Sequence, residues 1–185
     1  MNYKRIIPFI LVLSFAQGLE AQGKLLKTKV NDDITMLLPQ EFTSMSDGER
    51  IDKFVSSRTP LAIYTSQDRT VDFAINTNIM PWVDGDEEKL RSFYKGTYET
   101  LFDEVKYFQD TVKEINGKKF IVFEFESSLA DENAFSGTKK ESYYSYIQYT
   151  SYKNQVLLFN FGCKPRQMRE WQPVAGEMME SVRVK

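Results

Sequence analysis

Apolar and polar residues alternate in short blocks along most of this chain, and turn-forming residues separate the blocks. Leu25 to Val30 and Ile34 to Leu38 flank Asn31-Asp32-Asp33, which predicts a hairpin closed by polar turn chemistry and ended by Pro39. Ser46, with Glu49 three residues on, predicts a capped helix that carries Ile51, Phe54 and Val55 inward and stops before Pro60. Leu61 to Tyr64 and Val71 to Asn76 predict a second hairpin across the polar stretch Thr65 to Thr70. The period then changes. From Asp86 to Phe102, Leu90, Phe93, Tyr94, Thr97, Tyr98, Leu101 and Phe102 form one stripe of a 3.6-residue repeat. Asp84, Asp86, Glu87 and Glu88 sit at its start, where the helix dipole favours acids.

Asn116-Gly117 lies between Tyr107–Ile115 and Lys118–Ser127, the strongest short-range hairpin signal in the chain. A polar loop, Ala130 to Lys140, separates this pair from Tyr143–Tyr152 and Gln155–Cys163, which predict a hairpin around Lys153-Asn154. Met168, Trp171, Ala175, Met178 and Val182 recur at helical spacing in the last segment, with Pro173 inside the pattern, so the helix either begins near that proline or kinks there. No repeat or Pro/Gly linker divides residues 22–185. The order of elements predicts a single α+β domain over 22–185, an antiparallel β-sheet flanked by helices in an αβα sandwich.

The N-terminus has a different pattern. Lys4 and Arg5 precede the apolar run Ile6 to Ala16, which is followed by Gln17 to Gln22. Charge, apolar stretch and a small residue at the cut describe a secretory signal peptide over 1–21, cleaved after Ala21. Eleven apolar residues reach only ~16 Å as a helix, against a ~30 Å hydrocarbon core, so no membrane span is expected after cleavage. No Cys lies near the cut, which excludes a lipid-modified bacterial anchor there. Export to the periplasm or the exterior is the expectation.

Composition changes the picture mainly by exclusion. The chain has 185 residues, no His and one Cys. The lack of His excludes Ser-His-Asp and Cys-His catalysis, the HExxH zinc site and an imidazole pH switch. One Cys excludes an intramolecular disulfide and Cys-rich metal centres. A net charge of -2 offers no basic footprint for nucleic acid. Neither GxGxxG nor GxxxxGK occurs. No metal or cofactor is expected.

Several strings resemble the Mog/PsbP-like superfamily. Ile34-Thr35-Met36-Leu37-Leu38-Pro39-Gln40-Glu41-Phe42 is similar to that group's strand followed by LPxxF. Leu61 to Ser66 with Val71 to Ile75 is similar to its central hairpin, and Trp171-Gln172-Pro173-Val174 through Ser181-Val182 to its closing helix. The resemblance spans most of residues 25–184. It implies an α+β sandwich and adaptor roles: PsbP-type proteins are exported extrinsic subunits of a photosynthetic complex, and Mog-type proteins bind a small GTPase in the nucleus. The signal peptide argues against the nuclear role, and no functional residue of the superfamily maps onto this chain.

Candidate functional residues follow from local chemistry. Tyr144, Tyr146 and Tyr152 share one strand face and form a candidate partner-binding surface, with packing under a helix as the competing reading. Trp82, Trp171 and Met178 could line a ligand pocket between sheet and helices. Glu124 and Glu126 alternate on one face as a possible carboxylate pair, against a solvated strand face. The acidic run from Asp84 fails as a calcium loop, because Lys89 and Lys95 hold its sixth and twelfth positions. Cys163 reads as a structural thiol. The expected protein is an exported, non-enzymatic accessory or interaction protein of the bacterial cell envelope with a protein partner; the alternative is a small-molecule or lipid carrier.

Overall fold

A computed structural model of the chain describes residues 23–53, 59–82, 85–131 and 139–185. The expected signal peptide, Phe54, Val55, Asp84 and residues 132–138 lie outside these ranges, as does the side chain of Ile51. In chain order the elements are β1 (Leu25–Lys29), β2 (Ile34–Pro39), β3 (Thr43–Ser44), α1 (Asp47–Lys53), β4 (Ala62–Thr65), β5 (Asp72–Asn78), α2 (Glu87–Leu101), β6 (Glu104–Ile115), β7 (Lys118–Asp131), β8 (Lys139–Tyr152), β9 (Gln155–Cys163), α3 (Pro165–Glu180) and β10 (Arg183–Val184). All described strand pairs are antiparallel. A seven-stranded sheet runs β3-β4-β5-β9-β8-β7-β6, and a small sheet runs β1-β2-β10.

The chain crosses the large sheet once. From β5, in the sheet interior, α2 carries it over one face to the far edge at β6, and the meander β6-β7-β8-β9 returns it to pair with β5. The turns match their sequences. Asn116 and Gly117 both take positive φ (50° and 84°), as do Lys153 and Asn154 (49° and 60°), the geometry of tight hairpins whose twist suits the flanking strands. Ser46 and Glu49 form the expected reciprocal cap: the Ser46 N–H donates to Glu49 Oε2 at 2.9 Å, and the Glu49 N–H to Ser46 Oγ at 3.4 Å.

Two apolar clusters sit on opposite faces of the large sheet. One joins Phe73, Phe120, Val122, Phe159 and Phe161 to Trp171, Val174, Ala175 and Met178 of α3 and to Ile34, Met36 and Leu38 of β2. The other joins Ile121, Phe123, Phe125, Ile147 and Tyr149 to Trp82 and to Tyr94 and Tyr98 of α2. Central strands are therefore buried on both faces, which is why they read as nearly continuous apolar runs. Each such side chain contributes roughly 1.5–3 kcal/mol on burial.

The structure refines several expectations. The α2 stripe divides: Tyr94 and Tyr98 are buried, whereas Phe93 and Leu101 are exposed. The helix lies over β6 and β7. The closing helix starts at Pro165, whose missing N–H is one of the orphan donors of a first turn, and continues through Pro173 on its exposed side. The long β7–β8 ladder reaches Asp131↔Lys139, so strand pairing extends well into what reads as a polar loop. β3 and β10, two residues each, carry too little pattern to be read from sequence.

A half-buried ion cluster clamps α2 to the sheet edge. Arg91 and Lys95, one helical turn apart, reach Asp110 of β6 at 2.5 and 2.7 Å. Burial pushes the Asp110 carboxyl up, but its bonds to Lys95 and Arg91 outweigh that, and its pKa is lowered overall. A carboxyl with a lowered folded pKa stabilises fully above its unfolded value of ~3.9, and the gain is lost as the pH falls through the folded value. Asp110→Asn is expected to cost about 1–3 kcal/mol in urea unfolding at pH 7, a difference that shrinks strongly by pH 2.5.

Candidate functional site

Towards one end of the large sheet, three strands carry large side chains on the α3 face and small ones opposite. β5 points Phe73 and Ile75 towards α3 but Ala74 away; β9 points Phe159 and Phe161 towards it but Asn160 and Gly162 away; β8 alternates Tyr144 and Tyr146 with Ser145. Register lines the small positions up across the sheet. Asp72 faces Gly162, Gly162 faces Ser145, Ala74 faces Asn160, and Ser127 of β7 faces Tyr143. Because α2 lies over β6 and β7, these positions form the floor of a groove of about 340 Å³, walled by Phe102, Tyr143 and Lys164. A Cβ at Gly162 would meet only the Tyr144 carbonyl oxygen, at an ordinary 3.8 Å. Glycine there deepens the groove and is not required by the backbone.

The rim carries two aromatic side chains, Tyr143, 40% exposed, and Phe102, half-buried. At the polar end, Lys164 Nζ donates to the Tyr143 hydroxyl at 2.7 Å and stands 3.9 Å from the ring centroid, a hydrogen bond joined to a cation–π contact. Ser127 is 3% exposed, and its Oγ has no hydrogen-bond partner among the described residues. Cys163 also borders the groove, but burial pushes its thiol up to about 12, so it holds little thiolate at neutral pH.

The tyrosines singled out by composition face the other way. Tyr144, Tyr146 and Tyr152 are buried, and each hydroxyl is satisfied internally, so they are not an exposed patch for a partner. The Tyr144 hydroxyl donates to Glu124 Oε1 at 3.0 Å, Lys113 Nζ donates to the Tyr146 hydroxyl at 3.3 Å, and the Tyr152 hydroxyl donates to Asp33 Oδ2 at 2.8 Å. The last bond pins the turn of the small sheet to the large one. What β8 leaves accessible is Tyr143, one residue before the face that the sequence singles out.

Glu124 is likewise buried rather than solvated. Besides Tyr144, it accepts hydrogen bonds from Gln109 and from Gln172 of α3, both at 2.5 Å, which makes it a joint between sheet and helix. Glu126 pairs loosely with Lys106 at 3.8 Å. Trp171 and Met178 belong to the α3 cluster and Trp82 to the α2 cluster, on opposite faces of the sheet, so no single pocket gathers the three. Trp82 borders a second hollow of about 560 Å³ at the β6–β7 turn, with Glu87, Asn116 and Lys119. Its charges are already matched: Glu87 Oε1 accepts the Gly85 N–H at 3.2 Å and stands 3.7 Å from Lys119 Nζ.

The groove residues escaped the sequence reading because each is small and ordinary. The available signal was alternation: Ala74 against Phe73 and Ile75, Gly162 against Phe161, Ser145 against Tyr144 and Tyr146. Only the register shows that they meet.

An antiparallel sheet with helices on both faces, crossed once by α2, defines the Mog/PsbP-like fold, and comparison with solved structures places the chain there. It is similar to cyanobacterial PsbP (CyanoP) from Synechocystis, with a TM-score of 0.58, 11% identity, and coverage of 94% of this chain and 99% of that one. It is similar to the Ran-binding protein Mog1p from Saccharomyces cerevisiae, at 0.53 and 10% identity over 88% of this chain and 96% of the other. It is also similar to LpqN from Mycobacterium tuberculosis, involved in cell envelope biogenesis, at 0.52 and 12% identity over 88% and 91%. No protein-family model and no curated protein matches the sequence. No described helix is long and apolar enough to cross a membrane.

The state of Cys163, whose side chain belongs to the α3 cluster, gives a direct check on the closure of the face behind the groove. Iodoacetamide at pH 8 is expected to leave Cys163 almost unlabelled in the folded protein and to label it fully in urea, read by intact mass. Rapid labelling of the folded chain would show that the α3 face is open.

Proposed function

We propose that this chain is an exported, non-enzymatic accessory protein of the bacterial cell envelope that binds a protein partner through the groove on the α2 side of its sheet. The observation that carries the reading is the juxtaposition of a small-residue floor with exposed Tyr143 and half-buried Phe102, an accessible aromatic rim on a concavity of the sheet. The layout of residues 1–21 supports export. Similar folds serve a Ran-binding protein and a protein of cell envelope biogenesis, which supports an interaction role. Fold alone does not fix function; the site does.

A second reading, a small-molecule or lipid carrier, is favoured by one feature of the same groove. Its volume of about 340 Å³ lies at the lower end of the ~300–1,000 Å³ typical of ligand pockets.

A photo-crosslinking residue in place of Tyr143, expressed in cells that make the protein, separates the two readings. A discrete protein adduct, absent when the crosslinker replaces Thr28 of β1 and lost when Gly162→Leu fills the groove, is the expected result. Crosslinks equal at both positions, or none, would contradict the reading.

A further inference from the structure

We infer that Asn116-Gly117 is a covalent modification site: the Asn116 amide fastens the end of α3 to the β6–β7 turn, and hydrolysis of that amide to a carboxylate unfastens it. The inference is independent of the groove, which lies towards the other end of β7.

The dipeptide supplies the reactivity. Asn116 is the only asparagine in the chain that is followed by glycine. Gly117 has no side chain to screen its backbone nitrogen, and a Cβ built there meets nothing within 4 Å, so the turn stands open to water. Asn116 is itself exposed and borders two hollows, of about 560 and 270 Å³. In the reaction the Gly117 nitrogen loses its proton and attacks Asn116 Cγ. A new N–C bond closes a cyclic imide, the Cγ–Nδ2 bond breaks, and the nitrogen leaves as ammonia with that proton. Water then opens one of the two imide carbonyls and leaves aspartate or isoaspartate. Water is the only co-reactant.

The nitrogen that departs is the one the fold uses. Asn116 Nδ2 donates to the Glu180 carbonyl oxygen at 3.1 Å and to the Val182 carbonyl oxygen at 2.8 Å. Glu180 is the last residue of α3, where the final carbonyls have no partner within a helix. The residues that follow close the small sheet: Arg183 and Val184 pair with β2, and the Lys185 N–H donates to the Asp33 carbonyl oxygen at 3.0 Å. A carboxylate has no N–H to give. At position 116 it would face two carbonyl oxygens at the negative end of the α3 dipole, beside the Glu180 carboxylate, whose own ion pair is with Lys113. Isoaspartate also adds a backbone carbon to a tight turn and disturbs the pairing of Ile115 with Lys118. One event therefore removes a cap and puts repulsion in its place.

The same bonds slow the reaction in the folded chain. Attack requires the Asn116 side chain to turn back on its own backbone, which breaks both hydrogen bonds, and two bonds of ordinary strength slow the step at least about ten-fold.

The test incubates the folded protein, and the same protein in guanidinium chloride, in one mildly alkaline buffer. Peptide mapping follows Asn, Asp and isoAsp at position 116. Loss of Asn116 is expected to outpace that of every other asparagine in denaturant and to be at least about ten-fold slower in the folded chain. Amide hydrogen exchange then compares fresh protein, aged protein and Asn116→Asp. Val182 to Lys185 are expected to exchange at least about ten-fold faster in both modified forms, with β8 and β9 unchanged. Aged protein folds before it is modified, so it reports the effect even where Asn116→Asp does not fold. Equal rates at Asn116 in folded and denatured protein would overturn the inference. So would unchanged exchange of Val182 to Lys185 after modification, the result if Arg183 on the rim of the smaller hollow took up the new charge.

Discussion

The architecture depends on one constraint: strands β7, β8 and β9 contribute apolar side chains to clusters on both faces of the sheet, so each face must be covered. One cover is α3, completed by the small sheet, with Trp171, Ala175 and Met178 set against Phe159, Phe161 and Phe120. The other is α2, which sets Tyr94 and Tyr98 against Phe123, Phe125 and Tyr149. Tyr94 stacks on Tyr149 with centroids 4.0 Å apart and planes 8° from parallel, and the Tyr98 and Tyr149 hydroxyls are hydrogen-bonded. Losing either cover would return a wide aromatic surface to water, at roughly 25 cal/mol per Å² of apolar area.

The two covers are unequal, and the inequality creates the site. α3 and the small sheet work together, so the face beneath them tolerates bulk at every position. α2, joined by Trp82, lies over β6 and β7 and reaches Tyr149 of β8. On β5 and β9 the same face carries Ala74, Asn160 and Gly162, and the uncovered span becomes a groove rather than an exposed aromatic sheet. Polar joints fix the covers in place. Glu124 accepts from Tyr144, Gln109 and Gln172, and Asn116 donates to the Glu180 and Val182 carbonyl oxygens at 3.1 and 2.8 Å. These groups are satisfied within the fold, whereas the Ser127 hydroxyl, like the buried Gln148 amide, has no partner among the described residues.

Much of the fold was legible in the sequence. Asn116-Gly117 marked its hairpin, the Ser46–Glu49 spacing marked its helix cap, and the recurrence of Trp171, Ala175 and Met178 marked the buried face of α3. The strings similar to Mog/PsbP-like proteins led to the same architecture. The site was not legible, for a physical reason. In β8 both faces are aromatic: Tyr144 and Tyr146 alternate with Tyr143 and Tyr149, and a two-residue period cannot say which set meets water. The answer lies in neighbouring strands. Tyr144 pairs across with Cys163 and Tyr146 with Phe161, a fully covered face, whereas Tyr143 stands opposite Ser127. A phenol looks the same in the sequence whether its hydroxyl meets a buried Glu124 or the solvent.

The central claim is this difference between the two faces of β8, and hydroxyl-radical footprinting resolved by residue tests it most directly. Tyr143 should oxidise at the rate of an accessible tyrosine, while Tyr144 and Tyr146 in the same peptide remain nearly unmodified. Oxidation of Tyr144 or Tyr146 as fast as Tyr143 would show that the α3 face is open, and would move the binding surface to the side of the sheet that this account regards as sealed.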